Sequence, residues 1–159
     1  LKGISYMKKI FISVDPKIKN FTDFKNIDLF KPNLKEISSA LEIEAPTIKN
    51  LEVMGKKLMK KNHIDNLMIT LSERGIIIIN KESVSKFEIY ESEIVDVSGA
   101  GDAIISLASI LFYLNLPLSF IGKMCNVAGG IVCKHSGVKA INCKELIEKA
   151  KRYKLDLYL

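Results

Sequence analysis

The sequence is poor in the residues that build disulfide frameworks and zinc sites. It contains three cysteines and two histidines among 159 residues. Cys125, Cys133 and Cys143 are odd in number and lack the paired spacing of metal ligands, so the pattern indicates neither kind of site. A reduced, cytoplasmic setting is therefore expected for this chain.

Long apolar runs and blocks of positive charge are also missing. The longest nearly uninterrupted apolar run, from Ala103 to Leu114, is well short of the roughly 20 residues that cross a bilayer, and no signal-peptide pattern precedes the first predicted strand. The net charge is +6, but the lysines are spread through the chain and no basic block is interleaved with aromatics. We therefore expect neither a membrane nor a nucleic acid as a partner.

The sequence also lacks a Gly-x4-Gly-Lys-Ser/Thr stretch, which excludes a P-loop nucleotide fold. Short apolar runs instead alternate with amphipathic stretches, and this alternation predicts an α/β fold with a mostly parallel sheet covered by helices on both faces. We predict a single domain over residues 1–159, because this length is enough to bury a core. The predicted strands are 9–16, 28–31, 67–71, 76–79 and 86–90. The predicted helices begin near Asn33, Pro46, Asp102, Pro117 and Asn142.

The stretch 94–105 is the one around which the chain is organised. A β-branched entry runs into two glycines, after which an apolar helix pattern begins. The glycines let the backbone turn sharply, so that the amides of Gly99, Ala100 and Gly101 can converge at the helix start, where free N–H groups bind anions. Asp102 then stands beside that anion, although it is also explained as a favourable acidic residue in a first helical turn.

Three further patterns allow both a structural and a functional interpretation. Asn33 and Glu36 have the spacing of a helix capping box, and 70–75 has the pattern of a hairpin turned at a glycine. The paired glycines in 126–130 cost about 1 kcal/mol each in a helix interior. They indicate that something approaches this helix closely, for which tight helix packing is the structural explanation.

The run Asp96-Val97-Ser98-Gly99-Ala100-Gly101-Asp102 resembles the C-terminal signature of the ribokinase-like carbohydrate kinases, with a departure at Val97. The resemblance implies a three-layer α/β/α fold. It also implies that Asp102 is the general base that takes the proton from the sugar hydroxyl. The preceding amides, of Gly99, Ala100 and Gly101, would form the anion hole for the transferring phosphoryl group. Such a division of labour suits phosphoryl transfer, which needs positioning and charge stabilisation.

The same resemblance assigns further residues. Asn33 would help organise the nucleotide phosphates, and Glu36 the Mg²⁺ with its water shell, so that ATP and Mg²⁺ are the expected cofactors. Residues 70–75 resemble a nucleotide loop, with Ser72 in place of its first glycine, and the 126–130 segment would border the adenine. Within the family, residues 14–17, 31–36, 70–75 and 95–102 are together similar to heptose 7-phosphate kinases. The implied nucleotide-binding residues are Asn33, Thr70, Ser72, Glu73, Gly75, Asn126 and Gly129.

The resemblance covers about residues 9–148 and only the C-terminal half of such kinases. The N-terminal half, with most sugar contacts and a small β lid, is missing, so an exposed sheet edge is expected to recruit a partner or a second copy. Two classes of function stay open at this point. One is an ATP-dependent kinase of a sugar phosphate, of the heptose type or of a ribokinase or adenosine kinase type. The other is a non-catalytic, nucleotide-binding or structural remnant.

Overall fold

The computed structural model describes residues 10–90 and 94–158. These residues form two compact units. Unit 1 consists of 10–72 and 77–85, and unit 2 consists of 73–76, 86–90 and 94–158. The single domain expected from the length of the chain stays a prediction.

Within residues 10–90 and 94–158, five strands form one sheet in the order β1-β2-β3-β4-β5. The pairs β1–β2 and β2–β3 are parallel, with Val14 opposite Phe30 and Phe30 opposite Leu67. The alternating pattern thus predicted the parallel pairing of these strands. The strands are β1 (Ser13–Val14), β2 (Ile27–Phe30), β3 (Ile64–Thr70), β4 (Ile76–Ile79) and β5 (Val84–Phe87).

The described residues form five α-helices, which lie where the sequence predicts helices. All five predicted starts fall within two residues of the observed ones, and three helices begin after a capping side chain, from Asn33, Thr47 or Asn142. Among the described residues, no helix combines the length and the apolarity needed to span a membrane. The helices are α1 (Leu34–Ala40), α2 (Ile48–Asn62), α3 (Ala100–Tyr113), α4 (Leu118–Cys133) and α5 (Cys143–Arg152).

Four predicted strands have different bounds in the structure. The strand predicted at 28–31 is observed as Ile27–Phe30, and the one predicted at 67–71 is observed as Ile64–Thr70. The first strand covers only Ser13–Val14 of the predicted 9–16, and Lys9 lies outside the described residues. The last covers Val84–Phe87 rather than 86–90. It starts early because the turn before it is closed by Asn80, whose side-chain oxygen accepts hydrogen bonds from the amides of Glu82 and Ser83.

The core of unit 1 lies around β2, β3 and β4, whose apolar residues are almost fully buried. Asn62 is buried at the end of α2 and donates from its amide group to the carbonyls of Thr22 and Phe24, which fixes the loop before β2. Because β1, β2 and β3 are parallel, their carboxyl ends meet at one edge of the sheet, which is where ligands bind in open α/β sheets. The core side chains include Phe21, Phe30, Ile37, Leu51, Leu67, Ile69 and Ile79.

In unit 2, close packing explains two glycines of α4. A Cβ at Gly122 would overlap the Phe87 ring, and a Cβ at Gly129 would lie 3.0 Å from Ile104 of α3. The pair Gly129 and Gly130 predicts that another group lies close to this helix. At Gly129, the group is Ile104, so the glycine is explained by the packing of α3 on α4. At Gly130, a Cβ would meet nothing within 4 Å.

Candidate active site

The glycine stretch forms the N-terminus of α3. Gly99 is the residue before the helix and has φ 79°, a left-handed conformation that favours glycine. Within the described residues, no side chain caps this end. The amide of Ala100 donates to the Val97 carbonyl (3.2 Å), so it is already engaged. The amides of Gly101 and Asp102 are in the first turn, where a helix supplies no acceptor, so they are available to an anion.

The two aspartates of this stretch have different environments. Asp96 is an anchor: one carboxylate oxygen accepts from the amide (2.9 Å) and hydroxyl (2.8 Å) of Ser98, and the other accepts from the Gly137 amide (2.8 Å). The Ser98 and Gly137 amides, with the Ser98 hydroxyl, hold the pKa of Asp96 below its usual value. Asp102 is exposed and makes no hydrogen bond or ion pair through its carboxylate with the described part of the chain. Of these two carboxylates, only that of Asp102 is therefore unbonded within the described residues.

In unit 1, Asn33 and Glu36 form the predicted capping box at the start of α1. The Asn33 side chain accepts from the Glu36 amide, and the Glu36 carboxylate accepts from the Asn33 amide, both at 2.8 Å. Glu36 is only 8% exposed. The structural interpretation of this pair is thus confirmed, and its role toward a nucleotide stays a proposal.

A partly buried ion pair lies beside this box, and sequence reasoning missed it. Lys31 is 2% exposed and donates to Asp15 at 3.0 Å. Asp15 follows β1 and Lys31 follows β2, so the parallel pairing of these strands brings the two side chains together. The sequence contains one feature from which this pair could have been predicted: each of the two charged residues directly precedes a proline at the end of a predicted strand.

The predicted nucleotide loop follows β3. Thr70 lies next to Asn33, with its amide donating to the Pro32 carbonyl (3.1 Å), so the structure brings Asn33, Glu36 and Thr70 to one edge of unit 1. Ser72, which stands where the resembling motif has a glycine, has φ 55° and keeps the left-handed conformation. Glu73 is exposed, and Gly75 has φ 86° against the Phe87 carbonyl oxygen.

Asn126, in the segment predicted to border an adenine, lines a small cavity. This cavity is in unit 2 and its walls include two tyrosines, Tyr90 and Tyr153, whose rings are stacked with centroids 4.2 Å apart. The Asn126 amide group donates to the carbonyls of Phe87 (2.8 Å) and Glu88 (3.1 Å), so this side chain also has a structural role. Gly129 packs on Ile104 instead. The lining residues are Tyr90, Asn126, Val127, Gly130, Lys149 and Tyr153.

The described residues suit a magnesium ion that binds together with a nucleotide. They are less suited to a site that holds a metal by protein ligands alone. They contain no group of three or more histidine, cysteine, aspartate or glutamate side chains arranged for a metal. Mg²⁺ retains waters and typically uses one or two carboxylates together with substrate phosphates. Glu36 meets that need, because one of its oxygens serves the capping box and the other faces only an exposed lysine, Lys17, at 3.6 Å.

The fold defines a class of protein, those with a ribokinase-like fold. The structure is similar to phosphofructokinase-2 from Escherichia coli in complex with potassium, with a TM-score of 0.81 and 18% identity over 96% of this chain and 50% of that one. It is also similar to ribokinase from Thermotoga maritima, with a TM-score of 0.71 and 18% identity over 91% of this chain and 50% of that one.

Sequence comparison gives the family. The model of the pfkB family carbohydrate kinases matches residues 8–145, and the chain belongs to this family. Curated relatives include the bifunctional protein HldE of Syntrophotalea carbinolica, 31% identical over 97% of this chain and 32% of that protein. HldE of Campylobacter curvus is 30% identical over 86% of this chain and 29% of that protein. The chain thus spans about a third of the length of these curated relatives.

Proposed function

We propose that this chain is the nucleotide-binding and proton-accepting part of an ATP- and Mg²⁺-dependent kinase that phosphorylates a sugar phosphate. The observation that carries the proposal is the α3 N-terminus, where uncapped amides precede an exposed carboxylate while the neighbouring aspartate is held as an anchor. An acceptor hydroxyl needs a nearby base, and the moving phosphoryl group needs donors that are already oriented. Asp102 would be the base, and the amides of Gly101 and Asp102 would be the main donors.

Each unit, taken by itself, contains residues that we propose bind the nucleotide. In unit 1, Asn33 and Thr70 are adjacent at the carboxyl edge of the sheet, and the loop that begins at Ser72 follows them. In unit 2, the base would lie near Asn126, as the family resemblance implies, and outside the stack that the Tyr90 and Tyr153 rings form with each other. Glu36 would hold the magnesium through water, and the ion would neutralise charge on the phosphates.

We propose a heptose 7-phosphate as the acceptor and its anomeric hydroxyl as the reacting group. Support comes from the curated relatives named HldE and from the motifs shared with heptose 7-phosphate kinases, at 14–17, 31–36, 70–75 and 95–102. Such a kinase would serve ADP-heptose synthesis for lipopolysaccharide. The cytoplasmic location, and pairing through a sheet edge or with a second copy, stay predictions.

The chain itself is expected to bind ATP or ADP weakly and in a magnesium-dependent way. Calorimetry, or a nucleotide-induced rise in melting temperature with and without Mg²⁺, measures this binding. Sugar kinase activity of the chain alone should be absent or trace, because the N-terminal half of such kinases carries most sugar contacts. Failure to bind any nucleotide would favour a structural remnant, and robust turnover by a monomer of these 159 residues would refute the need for another half.

With an N-terminal half supplied, from an upstream chain or from a close relative, the enzyme is expected to prefer D-glycero-D-manno-heptose 7-phosphate. The assay compares kcat/KM for this sugar with the values for ribose, fructose 6-phosphate and adenosine. Polar groups that bind a particular hydroxyl reject substrates lacking it by large factors, so the preference should be clear. A preference for one of the other three substrates would agree with the proposed kinase activity but would refute the proposed heptose substrate.

A further inference from the structure

Two carboxylates of unit 1 each keep one oxygen bound to a fixed partner and present the other oxygen to the same lysine. One oxygen of Asp15 accepts from buried Lys31, and one oxygen of Glu36 accepts from the Asn33 amide. The second oxygens, Oδ2 of Asp15 and Oε1 of Glu36, lie 3.9 Å and 3.6 Å from the Lys17 ammonium. The Lys17 ammonium therefore lies between the two remaining carboxylate oxygens, while the Lys31 ammonium holds the far oxygen of Asp15.

The carboxylates are held firmly and the cation is not. Asp15 follows β1, Glu36 is in the first turn of α1, and their side chains are 23% and 11% exposed. The Lys17 side chain is 73% exposed, and both of its distances exceed hydrogen-bond length. Exposed ion pairs of this kind contribute little to stability. The ammonium is thus free to leave, while the two oxygens stay in position.

We propose that Lys17 is an internal counter-cation that occupies the place of a divalent ion between Asp15 and Glu36 and competes with that ion. The inference rests on the proposed function, in which Glu36 is the magnesium residue. A hard divalent cation prefers carboxylate oxygens, so it would take the position that the ammonium holds. Lys31 already pairs with Asp15, so Lys17 supplies the second positive charge beside the two carboxylates when no metal is bound, and its charge opposes metal binding.

The test is Lys17→Gln, with Mn²⁺ as the probe in calorimetric titrations of the nucleotide-free chain. Removing a positive charge beside the ion should tighten Mn²⁺ binding about three- to tenfold at low ionic strength. The rise in melting temperature on adding Mg²⁺ should grow in parallel. Lys19→Gln is the matched control, because Lys19 is exposed in the adjacent 3₁₀ helix (Ile18–Asn20) and its loss changes the net charge equally. Lys17→Arg keeps the charge and should bind Mn²⁺ as the unaltered chain does.

Equal or weaker Mn²⁺ binding by the Lys17→Gln chain would overturn the inference, as would equal tightening in the Lys19→Gln chain. Absence of Mn²⁺ binding in every variant would overturn it as well. ATP binding is titrated on the same samples, so that the two proposals fail separately. Nucleotide binding without a Lys17 effect would refute only the competition, whereas tighter Mn²⁺ binding without any nucleotide binding would refute only the kinase assignment.

Discussion

Replacing Asp102 by asparagine is expected to lower the turnover of the kinase, once an N-terminal half is supplied, by about 10²–10⁴-fold. Asparagine preserves the shape and polarity of the side chain but does not accept a proton from the sugar hydroxyl. Since the carboxylate is exposed and has no bonded partner in the described chain, its loss should leave α3 folded. The measurement is kcat with saturating ATP and sugar, beside the melting temperature of each variant.

The control for this substitution is Asp156→Asn, which removes an equally exposed carboxylate from the 3₁₀ helix Leu155–Tyr158. It should have almost no effect on turnover. ATP affinity should barely change in either variant, because neither carboxylate is proposed to hold the nucleotide. Near-normal turnover of the Asp102→Asn enzyme would show that another group takes the proton.

Gly75→Ala is expected to destabilise the chain by at least about 3 kcal/mol, because a left-handed residue with a side chain costs about 1–2 kcal/mol before any overlap is added. The overlap is severe here. With φ 86°, a Cβ at this position would run into the carbonyl oxygen of Phe87 and lie 3.0 Å from the Cα of Glu88. These are backbone atoms that cannot rotate away. Thermal unfolding should show a melting temperature lower by about 6–12 °C.

Substitutions at two other glycines distinguish the conformational cost of Gly75→Ala from the cost of the steric overlap. Gly137 has φ 75° but an added Cβ would meet nothing within 4 Å, so Gly137→Ala should cost only the conformational term of about 1–2 kcal/mol. Gly130 is helical and also has open space, so Gly130→Ala should stabilise α4 by up to about 1 kcal/mol. If Gly75→Ala cost no more than Gly137→Ala, the overlap with Phe87 would be relieved by backbone movement.

Much of the fold follows from local pattern. The capping box of α1 was predictable from Asn33 and Glu36, since both bonds form between residues three apart. The apolar spacing after Asp102 was enough to predict α3, and the strand–helix alternation was enough to predict parallel pairing. In each case the interactions that form the element act between residues close together in the sequence, so the local sequence is enough to predict the element.

The structure adds what depends on distant residues. Asp96 and Asp102 belong to one short motif, and Asp96 differs in its local bonds to Ser98 and in a contact with the Gly137 amide, which is distant in sequence. The Asp15–Lys31 pair forms because two parallel strands end side by side. The need for a glycine at position 75 depends on where the Phe87 carbonyl lies. The sequence by itself thus determined the elements, the family resemblance and the residue types available for phosphoryl transfer. Only the tertiary structure decided which charges are paired, buried or exposed, because those properties arise from atoms that the chain brings together across many residues.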